Sequence, residues 1–378
     1  LHYRIGSRVV GTDPDEAFEV AEHFRFLHIA LAAYRVTGEV RYFDWSVRYG
    51  AEWARRLNAS APGPLPAMWT QDGEAVYERD MKSARQRGMS AASHHVSGDP
   101  LIGVEILLAS GAIHALGDLF ALTGDPLYQG AARRIVEPMV EALGDPYVDP
   151  GADAVAYYRV AFGDDSLDDA IRTQVASLPE ESADEWAMTF PQEHRRREPG
   201  VGRRNDMVRW GRRKDDGTIA PAQDPCTATL ALAYQLTGDA GYATRAFRQA
   251  RVKLTMARRV LRGGREHADM GGAVCSVAAG HGRNWGVGAV TGCYGQLALG
   301  CREVMGRVAS AVEVACPDSV AGLPDDVLSL VRPSVCGGGQ ALFYNAAPDS
   351  ADFAWRANGA DDWRTVRLTA GESTTVLL

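Results

Sequence analysis

Two polar clusters in this chain carry residue types suited to acid–base chemistry. The first is Ser93-His94-His95, an adjacent histidine pair on a segment that also holds Trp69, Tyr77 and Arg87. One histidine of such a pair can take a proton while its neighbour donates or contacts a ligand. A bare pair specifies no metal, because a metal site needs further ligands. The second cluster is His281, Arg283, Asn284 and Trp285, inside the glycine-rich stretch Asp269–Gly300, which has nine glycines and no lysine. His281 is a candidate base, Arg283 and Asn284 can neutralise an anion, and Trp285 can serve as a stacking platform. Tyr294 lies a little further on, within an apolar run that reads as a buried helix. The competing reading is a tightly packed loop whose glycines permit close backbone approach.

A third group is built from arginine. Arg203, Arg204 and Arg209 precede Trp210, and Asp224 follows. Arginine forks bind carboxylate or sulfate bidentately. Asp224 has two readings, a catalytic acid or base and a plain helix N-cap.

What must position these groups is a repeated helical hairpin. Tyr34-Arg-Val-Thr-Gly-Glu-Val-Arg-Tyr42, Phe120-Ala-Leu-Thr-Gly-Asp-Pro-Leu-Tyr128 and Tyr234-Gln-Leu-Thr-Gly-Asp-Ala-Gly-Tyr242 share one pattern. In each, Gly38, Gly124 or Gly238 can end a helix in the left-handed conformation. The acid that follows, Glu39, Asp125 or Asp239, suits the start of the next helix. The tyrosine at the end of each motif is expected to pack back on the preceding helix. Asp13-Pro14 and Asp99-Pro100 each stand 24 residues before the threonine of a tip, and Asp224-Pro225 stands 13 before. Asp followed by Pro is a helix-start signal. Helices are expected over Ala17–Arg35, Val40–Leu57, Leu101–Leu122, Asp125–Leu143, Ala152–Phe162, Leu167–Ala176, parts of Ser182–Trp210, Thr227–Leu236, Tyr242–Val260 and Gly288–Arg307. Nearly apolar helices such as Leu101–Leu122 alternate with amphipathic partners such as Asp125–Leu143, which predicts inner and outer layers.

After residue 309 the pattern changes. Ala309–Ala315, Ala341–Asn345, Phe353–Ala357, Trp363–Leu368 and Thr374–Leu378 are β-rich and separated by turn signals such as Asn358-Gly359. Two domains are expected: 1–308, helical and carrying the site, and 309–378, a small antiparallel β-domain.

Composition narrows the function classes. The 378 residues are 46% hydrophobic and 23% charged, ordinary for a globular protein. A net charge of −8 counts against a general nucleic-acid binder. No apolar run is long enough to span a membrane, and no signal peptide is visible at the N-terminus. Cys226, Cys275, Cys293, Cys301, Cys316 and Cys336 form no CxxC pair, so neither zinc nor another cofactor is expected.

Inner helices alternating with outer ones, joined by Thr-Gly-acid tips, resemble the six-hairpin glycosidase superfamily. The resemblance covers roughly residues 12–308 and implies an (α/α)6 toroid of helical hairpins, here with the C-terminal antiparallel β-domain added. It implies an enzyme that cleaves glycosidic bonds, with an oligo- or polysaccharide as partner. In such a ring the loops entering the inner helices share one rim. That rim would gather His95, His281, Asp224 and Tyr294 as catalytic candidates. Around them would stand His94, Trp69, Tyr77, Arg87, Trp210, Arg283, Asn284 and Trp285 as substrate contacts. The arginines point to an acidic, uronic-acid-containing glycan. Hydrolysis needs two carboxyl groups, whereas β-elimination on a uronate needs carboxylate neutralisation and a His or Tyr base. Hydrolysis is the leading expectation, elimination the alternative, and a non-catalytic glycan-binding toroid the third.

Overall fold

A computed structural model of the chain describes residues 2–3, 10–11, 18–60, 63–66, 68–70, 72–77, 104, 107–108, 110–144, 151–178, 186–189, 209–213, 216, 219–221, 227–248, 312–315, 327–333, 339–357 and 360–378. They are mostly helical, with small antiparallel sheets. The chain divides into two compact units, Leu1–Glu141 and Ala142–Leu378. The expected boundary between residues 308 and 309 lies outside the described residues.

In the first unit, β1 (His2–Tyr3) pairs with β2 (Val10–Gly11). β3 (Phe18–Val20) leads through a single 3-10 turn, Ala21–His23, into α1 (Phe24–Thr37) and α2 (Val40–Ala59). β4 (Met68–Thr70) and β5 (Ala75–Val76) join β3 in a sheet of order β3-β4-β5. α3 (Ala112–Thr123) and α4 (Pro126–Glu141) form the second hairpin. Leu27, Leu31, Leu57, Leu116, Leu119, Ile135 and Met139 close the core between the four helices, each almost wholly removed from solvent.

One expected helix begins later than its sequence pattern suggests, and another is broken within its length. Ala17–Arg35 is strand, then 3-10 turn, then α1 from Phe24. Leu101–Leu122 is helical at residues 104, 107 and 108, is interrupted at Gly111, whose φ is +75°, and resumes as α3 from Ala112. The interruption has a local cause. His28 Nε2 donates to the Gly111 carbonyl at 3.1 Å, and a Cβ on Gly111 would lie 2.7 Å from that nitrogen. The imidazole of α1 thus occupies the space a side chain would need.

The second unit opens with α5 (Ala152–Ala161) and α6 (Asp168–Ala176). The buried Arg159 guanidinium grips the Asp168 carboxylate bidentately, at 2.5 and 2.7 Å, and so ties the two helices together. β6 (Trp186–Thr189), β7 (Arg209–Arg213) and β8 (Ile219–Pro221) make an antiparallel sheet. Within Ser182–Trp210, parts of which were expected to be helical, the described residues are β6 and the start of β7. α7 (Thr227–Thr237) is buried along nearly its whole length, and residues 240–248 are helical again beyond the third tip.

The C-terminal strands are β9 (Val312–Ala315), β10 (Val327–Pro333), β11 (Gly339–Asn345), β12 (Ala351–Ala357), β13 (Arg364–Leu368) and β14 (Ser373–Leu377). They form two three-stranded sheets, β10-β11-β14 and β13-β12-β9. Val327, Ala341 and Phe343 of the first pack against Phe353, Trp355 and Leu368 of the second. The five expected β segments correspond to β9, β11, β12, β13 and β14; β10 was not anticipated. Among the described residues, no helix is long and apolar enough to cross a membrane.

The three hairpin tips share one hydrogen-bond module. Gly38, Gly124 and Gly238 have φ of +71°, +70° and +75°. Their amides donate to the carbonyls of Tyr34, Phe120 and Tyr234 at 2.8, 2.7 and 2.7 Å. Thr37, Thr123 and Thr237 donate Oγ1 to the carbonyl one turn back at 2.8, 2.7 and 2.8 Å. The same oxygens accept the next acid's amide at 3.2, 3.2 and 3.1 Å. Asp125 and Asp239 then cap the following helix, accepting from the amides of Leu127 and Gly241 at 2.9 and 2.8 Å; Glu39 makes no such cap. The buried Tyr128 also donates its hydroxyl to the Val47 carbonyl of α2 at 3.1 Å, which ties the second hairpin to the first.

Alanine at these glycines should separate backbone strain from contact. Gly38→Ala and Gly124→Ala meet no neighbour within 4 Å and should each cost about 1–2 kcal/mol from the left-handed backbone alone. Gly238→Ala should cost more, because its Cβ would come within 2.7 Å of Arg332 Nη1. That guanidinium is fixed by hydrogen bonds to the Gln235 and Leu236 carbonyls. Urea midpoints of the three variants check the order.

Candidate functional site

Nine of the expected site residues, His94, His95, Arg87, Asp224, His281, Arg283, Asn284, Trp285 and Tyr294, lie outside the described residues. Trp210 is on β7, where Met188 is its partner on β6. Trp69 and Tyr77 belong to the first unit, Trp69 on β4 and Tyr77 just past β5. Trp69 is 3% exposed and meets Trp53 edge-on, with ring centroids 4.5 Å apart. It contributes packing beneath the sheet rather than an open platform. Tyr77 is half-buried.

The sheet that carries Trp69 also carries a residue the sequence did not single out. Glu19 is the partner of Trp69 in the β3–β4 register. Its neighbour Phe18 turns into the core, and Glu19 meets α2. On that helix Tyr49 and Trp53 are four residues apart and share a face. The Tyr49 hydroxyl and Trp53 Nε1 both donate to Glu19 Oε1, the latter at 3.0 Å. The other oxygen, Oε2, lies 3.1 Å from His23 Nδ1, four residues on. Trp53 Nε1 is also 3.1 Å from the Tyr49 oxygen. One turn earlier on α2, Trp45 stacks nearly parallel on Tyr49, at 4.9 Å and 10°. Phe24, the first residue of α1, supports Trp53 from below at 4.8 Å.

The cluster is closed on one side and open on the other. Trp53 is 2% and Trp45 37% exposed. The Glu19 side chain keeps about a third of its surface in water and His23 about an eighth. The three aromatic residues at positions 45, 49 and 53 make a ladder along α2, with the carboxylate at its middle rung.

Electrostatics divides the roles. Burial pushes the Glu19 carboxyl upward. Hydrogen bonds from His23 and Tyr49, the His23 charge and the Trp53 hydrogen bond together outweigh burial, and hold it below its ordinary 4.5. Tyr49 moves the other way. Burial, then the charge and hydrogen bond of Glu19, push its phenol far above its ordinary 10. At neutral pH the pair is therefore carboxylate plus intact phenol. Glu19 can act as a base, a nucleophile or a stabiliser of positive charge, and Tyr49 can act as a hydrogen-bond donor.

No protein-family model, curated protein or solved structure matches the chain. What the cluster can do therefore rests on its own geometry. Asp72 and Glu74 lie exposed on the turn joining β4 to β5, on the sheet of Glu19. The turn is held by the Glu74 amide on Thr70 Oγ1 at 3.1 Å. Among the described residues, no group of three His, Cys, Asp or Glu side chains is arranged to hold a metal.

Glu19 escaped notice because an acid in a segment read as helix looks like an ordinary solvated residue. The available signal was Trp45-Tyr49-Trp53, large aromatic residues repeating every four positions on a helix of otherwise amphipathic character.

Replacing Tyr49 by Phe removes one hydrogen bond to a charged acceptor and should cost about 1.5 kcal/mol at pH 7. Because Glu19 titrates lower in the folded protein than its ordinary 4.5, its contribution is present above that value. It is lost as pH falls through the folded-state pKa. The gap between wild type and Tyr49→Phe should therefore shrink below that pH, which urea unfolding at neutral and strongly acidic pH would reveal.

Proposed function

We propose that the chain is a glycoside hydrolase-like enzyme, acting on an acidic, uronic-acid-containing oligo- or polysaccharide. We further propose that its helical hairpins close into an (α/α)6 toroid. The observation that carries the reading is the Glu19 cluster: an ionised, partly open carboxylate among Tyr49, Trp45 and Trp53. It stands at the start of α1, the end away from the Thr37-Gly38-Glu39 tip. In a ring of hairpins that end is the rim where inner helices are entered. Aromatic faces suit the C–H faces of pyranose rings, and a fixed carboxylate suits the positive charge that develops at the anomeric carbon.

In this reading Glu19 is the base or nucleophile, and Tyr49 and Trp53 hold its orientation. Trp45, stacked on Tyr49, receives a sugar ring beside the carboxylate. Glu19 is too acidic to be the proton donor, so a second carboxyl group must protonate the leaving oxygen. Asp72 and Glu74 are the candidates on the same sheet as Glu19. Arg283, Asn284 and Arg87 are the proposed contacts to the substrate's carboxylates.

Elimination remains the second reading, because His94, His95, His281 and Tyr294 are residue types it uses. Tyr49 does not favour it: a phenol whose pKa is raised far above its ordinary value is a poor base at neutral pH.

Digestion of glucuronan-like and pectic oligosaccharides tests the reading. New reducing ends should appear without the ultraviolet absorbance of a conjugated double bond. Glu19→Gln should lower turnover by about 100-fold or more. Wild-type turnover in Glu19→Gln would remove Glu19 from the chemistry, and unsaturated products would transfer the assignment to elimination. Binding without turnover by the wild-type chain would mark a non-catalytic glycan-binding protein.

A further inference from the structure

The β13-β12-β9 sheet has two unlike faces. Phe353, Trp355 and Leu368 point into the core shared with β10 and β11. Strand alternation then places Asp352, Ala354 and Arg356 of β12 on the opposite face. On β13 the register pairs Asp352 with Arg367 and Ala354 with Thr365. The same antiparallel register, carried one step past the end of β13, brings Arg356 opposite Trp363. The side chains meet there: the Arg356 guanidinium lies 4.7 Å from the centroid of the Trp363 ring. Trp363 is nevertheless 44% exposed, an indole held at the surface outside the core of its own module.

We propose that this outer face is a glycan-docking site, separate from Glu19, in which Trp363 seats the C–H face of an uncharged pyranose ring. Arg356 holds the indole in place, so little side-chain freedom remains to be lost on binding. Ala354 and Thr365 have short side chains and form a low floor beside it. At the far end, Arg367 and Asp352 stand 3.9 Å apart and largely exposed. From Arg356 to Asp352 is four strand residues, roughly 13 Å, enough for a short run of linked sugars.

The balance of charge selects the occupant. Arg356 and Arg367 share this region with Asp352 and with the exposed Asp361 and Asp362 beside Trp363. A polyanion would meet the carboxylates of Asp352, Asp361 and Asp362, and a polycation would meet the arginines. Hydroxyl groups donate and accept, so a neutral sugar can use both signs of side chain. The inference takes only its ligand class from the glycan reading; none of its residues belongs to the Glu19 cluster.

Affinity electrophoresis of the full chain in gels containing xyloglucan, hydroxyethylcellulose or polygalacturonate tests the site. The wild type should be retarded by at least one of the two neutral polymers. Trp363→Ala should lose that retardation, with apparent affinity falling at least about tenfold, and Trp363→Phe should keep part of it. Near-ultraviolet circular dichroism of Trp363→Ala should retain the signature of the buried aromatic residues, since Trp363 lies outside the core. Equal retardation of wild type and Trp363→Ala would overturn the site, as would retardation by polygalacturonate alone. Glu19→Gln supplies the separation: it should be retarded like the wild type. Retardation that depends on Trp363 in a chain without turnover would keep this site and remove the hydrolase reading, and the converse result would do the opposite.

Discussion

A chain that reverses between two helices in two residues must place one of them in the left-handed region, and the helical part of this protein is built on that constraint. At Gly38, Gly124 and Gly238 the missing side chain permits the turn, but the preceding threonine makes it specific. Its hydroxyl donates backward to the ending helix and accepts forward from the acid that opens the next. Each tip thereby satisfies groups at two helix ends with one side chain. Glu39 shows which part of the module is dispensable, since its helix starts without the carboxylate cap that Asp125 and Asp239 supply. The turn survives on glycine and threonine; the acid adds to it.

The same economy of partners shapes the Glu19 cluster. A carboxylate drawn partly out of water needs donors, and α2 supplies two from one face while the segment ahead of α1 supplies His23. Those donors also remove freedom from one another: Trp53 spans Glu19 and Tyr49, and Trp45 stacks behind Tyr49. A cluster so closed on its buried side and open at Trp45 holds its carboxylate in a single orientation.

Much of this architecture was legible because it depends on short-range rules. The three tips, the apolar character of α3 and α7 and five of the C-terminal strands follow from glycine placement, periodicity and alternation. The misreadings arose where a distant residue overrode the local pattern. Nothing in Leu101–Leu122 reveals that His28, 83 residues earlier, will occupy the space beside Gly111. β10 is similarly hidden: its Val-Leu-Ser-Leu-Val run lacks clean alternation, and it becomes a strand by pairing with β11. Trp69 was expected among the substrate contacts, yet it is buried against Trp53. Glu19 was invisible for the mirror-image reason, since two of its three partners, Tyr49 and Trp53, lie some 30 residues away.

The contact between Arg332 and α7 bears on how the chain is made. Arg332 Nε donates to the Gln235 carbonyl from 97 residues further along the sequence, and its Nη2 donates to the Leu236 carbonyl. During synthesis, α7 and its tip leave the ribosome long before the strand that completes them. The Gln235 and Leu236 carbonyls, near the end of a helix buried along nearly its whole length, gain this donor only once β10 has been made. An apolar helix thus takes one of its partners from a strand made much later in synthesis. A chain that stopped short of β10 would carry the helix without the guanidinium that closes its end.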